Sequence, residues 1–266
     1  MPKYPNLISD SLLINETIQL LQSFGGSVSA VKVVDYVMKI RKPSPDLAKL
    51  LVSDLAESDP RLRLNEDKLE LVAIDRGNFN LTETDFVVFD LETTGAKCPP
   101  CRITEIGAFR VKHNEIVDRF HTLVNPETPI PPFITQLTGI NDKMVKNSPR
   151  FTDIVSDFLD FIGDAVLVAH NAAFDMCFLN YEIKRIYENY QIANPHLCTV
   201  QLSRKLLPHI ANHKLHTLAD YYSIPLQNHH RAADDAHATA QIFINLLSEL
   251  SKNGVFDLVG IKKFKA

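Results

Sequence analysis

The stretch FVVFDLETTG, residues 86–95, decides the fold. Its first four residues are β-branched or aromatic without a break, the composition of a buried strand. A period of two then carries Asp90 and Glu92 onto the face that Phe86 and Val88 occupy. Two carboxylates side by side on a buried strand repel each other, and each loses hydration. Such a pair needs a shared proton or a cation, and a hard divalent metal with oxygen ligands is the simplest remedy.

Downstream, ITEIGAFRV (103–111) and IVDRFHTLV (116–124) read as two more strands, 151–162 as a helix and AVLVA (165–169) as a short buried strand. Residues 174–187 are helical in pattern, LCTV (197–200) suits a strand, and 232–250 form a strong closing helix. The order β-β-β-α-β-α-β-α predicts an α/β layered fold with a partly antiparallel sheet.

Acids recur in apolar places along this region. Asp175 shares a helical stripe with Leu179, Ile183 and Ile186, and Asp235 shares one with Thr239, Ile242 and Leu246. A single inward acid is ordinarily a cap or half of an ion pair, and Asp175 also suits the first turn of its helix, where anions are welcome. Four such acids, with no matching Arg or Lys on the same stripes, are harder to explain that way. A two-metal site, with ions about 3.5–4 Å apart, would account for all of them. His230 lies five residues before Asp235 and can approach such a site as a base. Packing or capping is its alternative role.

Upstream, a second pattern holds. Residues 16–24 form a short amphipathic helix that stops at Gly25-Gly26. Ser29 caps a helix through residue 40. Pro43 and Pro45 break it, and Pro45 opens a third helix over 46–57. RLRLNEDKLELV (61–72) alternates as a hairpin around Asn65-Glu66-Asp67. Three helices and a two-stranded wing resemble a winged helix in pattern, with no motif behind the likeness. The polar stretch IDRGNFNLTETD (74–85) separates the two patterns. We expect a winged-helix-like domain over 1–80, a catalytic domain over 86–250 and a tail over 251–266.

Charge narrows the partners. The 266 residues carry a net charge of −4, so any nucleic acid must be held locally rather than by overall basicity. Ten Lys and Arg face twelve Asp and Glu over residues 1–84, which leaves nucleic-acid binding and a docking or purely structural role equally open for that part. No apolar run nears the roughly 20 residues of a membrane helix. The start, MPKYPNLISDSLL, lacks the long apolar stretch of a leader, and a cytoplasmic protein is expected. Cys98 and Cys101 flank two prolines. A zinc site wants four ligands, and Cys177 and Cys198 stand singly on other elements, so a plain loop is expected. His209, His213 and His216 fall near Arg204 and Lys214 on a surface loop, and the short basic tail GIKKFK (260–265) reads as a solvated end or a phosphate contact.

Three motifs, D-L-E-T-T-G (90–95), H-N-A-A-F-D (170–175) and H-R-A-A-D-D-A (230–236), resemble in order those of the DEDDh exonucleases, the group of the proofreading subunit of the bacterial replicative polymerase and of ribonuclease T. EIGA (105–108) and NPETPIPP with LTGI (125–140) fit the same pattern. The resemblance implies a ribonuclease H-like fold with a mixed five-stranded sheet. It implies two Mg²⁺ or Mn²⁺ ions held by Asp90, Glu92, Asp175 and Asp235, with His230 activating water. The histidine type follows from the four residues between His230 and Asp235. It also implies a strand end, DNA or RNA, gripped by Thr93, Thr94 and Gly95 at the terminal sugar. Asn171 and Phe174 would lie near the same nucleotide, and Leu137, Thr138 and Gly139 against the last base. The implied activity is 3′→5′ removal of nucleoside 5′-monophosphates, in proofreading, repair or turnover. The first part would dock a polymerase or repair assembly. The contrasting reading is a binding module that has lost catalysis.

Overall fold

A computed structural model describes residues 4–72, 80–226 and 228–264. The chain divides into two compact units, Met1–Asp75 with Ile183–Ala193, and Arg76–Glu182 with Asn194–Ala266. Residues 74–79 of the polar junction expected at 74–85 lie outside the described residues.

The first unit contains β1 (Leu7–Ser9), α1 (Leu12–Ser23), β2 (Ser27–Ser29), α2 (Ala30–Tyr36), α3 (Pro45–Ser58), β3 (Leu62–Asn65) and β4 (Lys68–Leu71). Helix α1 begins four residues before the expected start because the Ser11 hydroxyl accepts the Ile14 N–H and caps it there. It stops where expected, as Gly25 and Gly26 turn left-handed at φ 74° and 94°. Helix α2 ends at Tyr36 rather than at residue 40, since Lys39 sits at φ 59°, which no helix continues through. Ser29 stands at its N-cap without a side-chain bond. Ser44 caps α3 and Pro45 occupies its first position. The β3–β4 hairpin turns at Glu66, and β2 adds a third strand against β4, order β2-β4-β3. Three residues are too few to show a period, so β2 is not legible in the sequence. Leu21, Val33, Val34, Val52 and Leu69 close the core between helices and sheet.

The second unit continues with β5 (Phe86–Thr93), β6 (Ile103–Lys112), β7 (Glu115–Leu123), α4 (Pro132–Thr138), α5 (Asp142–Val145), α6 (Phe151–Ile162), β8 (Val166–Ala169) and α7 (Ala172–Ile186). Next, β9 (Tyr190–Ile192) pairs with β1 inside the first unit, Leu7 opposite Ile192. The chain ends through β10 (His196–Cys198), α8 (Thr199–Leu206), α9 (Leu215–Tyr221), α10 (Ala232–Lys252) and α11 (Leu258–Lys263). The sheet runs β10-β8-β5-β6-β7, with β8 parallel to β5 and β10 and the rest antiparallel. This is the mixed five-stranded α/β architecture the sequence implies. The expected strand at 197–200 is shorter than read, because Thr199 already opens α8. The tail forms α11, whose Leu258 and Ile261 are buried in the core.

Strand β5 is the sheet's centre, and Phe86 through Phe89 are all buried. Helix α10 lies across it, its Phe243 ring meeting Phe86 edge-on at 4.9 Å between centroids. That contact, with Leu246 and Val168, forms the middle of the core. Because β5 and β8 are parallel, their carboxyl ends open at the same edge of the sheet. The sequence after β8 turns there into α7, an arrangement that gathers side chains from both connections.

Candidate active site

The last residues of β5 supply the first two acids. Asp90 pairs in register with Gly107 of β6, and Glu92 with Glu105. Gly107 is a spacing device. A Cβ there would lie 2.3 Å from the Ala232 carbonyl oxygen and 2.5 Å from the Ala233 nitrogen. Without it, the start of α10 settles onto β6 beside Asp90 and brings Asp235 over the strand end.

Asp90, Glu92 and Asp235 present carboxylate oxygens that all lie within 4.8 Å of one another. Asp175, in the first turn of α7, is 2% exposed and receives the Leu91 N–H. It stands beside this triplet and acts on Asp90 through its charge. Burial, and then the charges of Asp175, Glu92, Asp235 and Glu105, push the Asp90 carboxyl well above the usual range. Burial and the same crowd of anions push Glu92 up to about 8, the Arg231 charge only partly opposing them. Burial also raises Asp175 to about 8. Four acids therefore meet with little positive charge from the protein, and three of them, Asp90, Glu92 and Asp175, have raised carboxyls.

His230 sits at φ 69°, immediately before α10, and its backbone N–H donates to Asp235 Oδ2 at 3.1 Å. Its imidazole stacks on His229 at 4.0 Å. Burial and the neighbouring His229 lower its pKa while Asp235 pulls the other way, so the ring favours its neutral form at pH 7. His229 Nδ1 in turn lies 3.1 Å from Asp235 Oδ1.

These groups open into a cleft of about 250 Å³. Of the residues singled out in the sequence, Asp90, Glu92, Thr93, Gly95, Leu137, Thr138, Phe174, His230 and Asp235 line it. Thr94, Gly139, Asn171 and Asp175 do not. Thr94 faces Arg102, whose backbone N–H its hydroxyl accepts at 3.0 Å. Gly139 ends α4 at φ 74°, and Asn171 turns at φ 74° ahead of α7. His209, His213 and His216 also lie outside the lining; His213 meets Ser203 at 3.1 Å.

Two features escape a linear reading. Glu105 is fully buried, yet it accepts Arg231 twice (3.0 and 2.7 Å), the Ala232 N–H (3.0 Å) and contacts His121 (2.8 Å). Burial raises its carboxyl, and these bonds outweigh that, so its pKa falls. Glu105 thereby clamps the turn that carries His230. Its partner is 126 residues away, beyond any local periodicity. The second feature is Cys177, which meets the Cys98 carbonyl at 3.8 Å, so the Cys98–Cys101 loop is not isolated from the other thiols. Burial and then Cys177 push the Cys98 thiol up to about 12. Among the described residues, the groups with metal-ligand spacing contain no cysteine.

Residues 87–243 match the exonuclease family profile, RNase_T. The chain is 47% identical over 173 residues to the DNA polymerase III PolC-type of Caldanaerobacter subterraneus subsp. tengcongensis, covering 65% of this chain and 12% of that protein. It is 42% identical over 175 residues to the Bacillus subtilis protein of the same name, 66% of this chain and 12% of that one. The chain thus spans about 12% of the length of these relatives. Among solved structures, exonuclease X in complex with 5′ overhanging duplex DNA superposes with a TM-score of 0.53 at 28% identity, over 64% of this chain and 93% of that one. The nuclease domain of 3′hExo, a DEDDh family member bound to rAMP, shares the fold, with a TM-score of 0.52 at 18% identity over 64% and 95%.

Proposed function

The chain belongs to the exonuclease family, of the DEDDh 3′→5′ type, and from that membership we propose that it is a metal-dependent 3′→5′ exonuclease. It hydrolyses the terminal phosphodiester bond of a DNA or RNA strand and releases nucleoside 5′-monophosphates. The observation that carries this reading is the triplet Asp90, Glu92 and Asp235, oxygens within 4.8 Å, at the wall of a cleft.

The family works with divalent metal ions. The donor set here fits them: hard carboxylate oxygens, crowded enough that their charges raise one another's pKa. We assign two ions, Mg²⁺ or Mn²⁺, to Asp90, Glu92, Asp175 and Asp235. Bound cations would supply Lewis-acid polarisation of the phosphate and neutralise charge at the leaving 3′ oxygen.

The protein's own groups do the rest. His230, neutral near pH 7, takes the proton of the attacking water. Its ring is held by the left-handed turn and by the Glu105–Arg231 clamp that follows it. Thr93, Thr94 and Gly95 meet the terminal sugar. Phe174, Asn171 and the 137–139 segment, with Leu137, Thr138 and Gly139, confine the last nucleotide.

We further propose residues 1–80 as a winged-helix-like accessory domain that can dock a polymerase or repair assembly, 86–250 as the catalytic domain and 251–266 as a tail. The identity to PolC-type polymerases supports that setting. Among the described residues no helix is long and apolar enough to cross a membrane, and we assign the protein to the cytoplasm.

The test uses 5′-labelled single-stranded DNA and RNA oligomers with Mg²⁺, Mn²⁺ or EDTA. Wild type should yield a ladder shortening from the 3′ end only with metal. Asp90→Ala should leave the oligomers intact while keeping the fold. No cleavage by the folded wild type under either metal would refute the reading.

A further inference from the structure

A groove in the first unit carries a second set of chemistry that the catalytic reading does not use. It lies between α1 and α2 and encloses about 470 Å³. Phe24 and Tyr36 line it, 50% and 61% exposed. Large aromatic rings left this open are costly unless something covers them. What covers them here is cationic. Lys32 Nζ stands 3.5 Å over the Phe24 ring, and Lys39 Nζ lies 5.0 Å from the Tyr36 ring.

The charge of the surrounding segment is one-sided. Residues 31–42 contain Lys32, Lys39, Arg41 and Lys42 against a single acid, Asp35. Among the described residues none of these four cations enters an ion pair. The near balance of acids and bases over the whole first part conceals this concentration. Glu16 is the one carboxylate in the groove wall.

Exposed rings beside ammonium groups with no carboxylate partner, Lys39 donating only to the Tyr36 carbonyl at 2.7 Å, have a specific complement. A flexible polyanion whose repeating unit carries a flat π-face satisfies both, the bases stacking on the rings and the phosphates taking the lysines. Duplex nucleic acid offers the phosphates but hides the faces of its bases. An acidic peptide offers charge without the faces. We propose that the α1–α2 groove is a single-stranded nucleic-acid site, separate from the carboxylate cleft, with Phe24 and Tyr36 as stacking platforms and Lys32 and Lys39 as phosphate contacts. On binding, the two ammonium groups leave the rings for phosphate and the bases take their place.

The proposal takes its polymer from the exonuclease reading, but it is tested by binding alone. Fluorescence anisotropy of labelled dT20, U20, a 20-bp duplex and a polyglutamate peptide is followed on the full chain in EDTA. Under EDTA the cleft has no cations to draw phosphate, so the groove dominates the signal. Cleavage in EDTA would show as tracer shortening and would count against metal dependence, not against the groove. Either dT20 or U20 should bind at least about tenfold more tightly than the duplex and the peptide, and their ratio assigns DNA or RNA. Phe24→Ala with Tyr36→Ala should weaken the preferred strand at least about tenfold, two stacking contacts being lost. Lys32→Gln with Lys39→Gln should lower the slope of log K against log salt by about 1.4, roughly 0.7 per phosphate contact. Leu50→Ala, on the exposed side of α3, should leave binding as it is. Equal binding of polyglutamate, a duplex preference, or unchanged affinity in the aromatic double variant would overturn the proposal.

Discussion

Glu92 and Glu105 face each other across β5 and β6, one residue pair of one ladder, and the protein treats them oppositely. Glu105 is sealed from water yet receives Arg231, His121 and the first N–H of α10, which lower its pKa. Glu92 has no such donors, and burial, then the charges of other acids, push it up to about 8. A buried carboxylate with its own donors is a structural part. One left among like charges at a cleft wall has the chemistry that a cation would compensate. The contrast separates the residues that build the site from those that the reaction uses.

Replacing Glu92 tests the functional side and carries the largest effect. Glu92→Gln keeps the shape and removes the charge. Turnover with Mg²⁺ should fall by at least about 10³-fold, since several kcal/mol of metal-derived stabilisation is at stake. His230→Ala should cost about 10²–10⁴-fold in kcat while Mg²⁺ still binds, as expected for a lost general base. Initial rates and calorimetric Mg²⁺ titration of the two variants separate these effects. If Glu92→Gln turns over normally, the acid is structural after all and the comparison fails.

Replacing Glu105 tests the structural side. Both of its oxygens accept donors, so a Gln amide turned either way places an NH₂ against Arg231 or Ala232. Glu105→Gln should lower stability by roughly 1–3 kcal/mol, the cost of leaving buried donors poorly satisfied. Denaturant unfolding measures it. Glu92→Gln should do the reverse in metal-free protein near pH 8, because it removes a repelled charge. Two Glu→Gln changes on one strand pair would then shift stability in opposite directions.

The same contrast explains what the sequence reveals. Asp90 and Glu92 are conspicuous because they interrupt an apolar run, and Asp175 and Asp235 because they break apolar helical stripes. Glu105 also sits in an apolar strand, but its role depends on Arg231 folding back from the far end of the domain. Gly107 reads as an ordinary small residue until α10 is seen resting on it. The mixed five-stranded sheet follows from the resemblance the motifs carry, whereas β2 and β9 are three-residue strands fixed by their partners alone. The basic groove vanishes in a charge count because the acids of the first part lie elsewhere in it. Local pattern thus marks groups out of place, and only the fold tells which of them find partners.

The subtlest consequence is the pH dependence of stability. Asp90, Glu92 and Asp175 all have carboxyls raised in the folded protein, the last two to about 8, against about 4 when unfolded. Between those values the folded state binds more protons than the unfolded state. Stability is therefore fully present below about pH 4 and is lost as pH rises toward 8. Glu105 and three histidines run the other way. Glu105 contributes stability that is lost in acid, and half-buried His170, lowered to about 4, contributes stability that is gained as pH rises toward 6.5, as do His213 and His230, both also lowered. Above about pH 6.5 these contributions are complete, which leaves the cleft carboxyls in view. Metal-free protein should lose Tm steadily from pH 6.5 to 8, and Glu92→Gln should lose it less steeply. Mg²⁺ should raise Tm most at pH 8 and flatten the slope, because cations favour the ionised form. Scanning calorimetry at several pH values, with EDTA and with Mg²⁺, decides the matter. A metal-free Tm that holds level over this window would mean the cleft acids are already compensated, and Glu92 would then differ from Glu105 in position only.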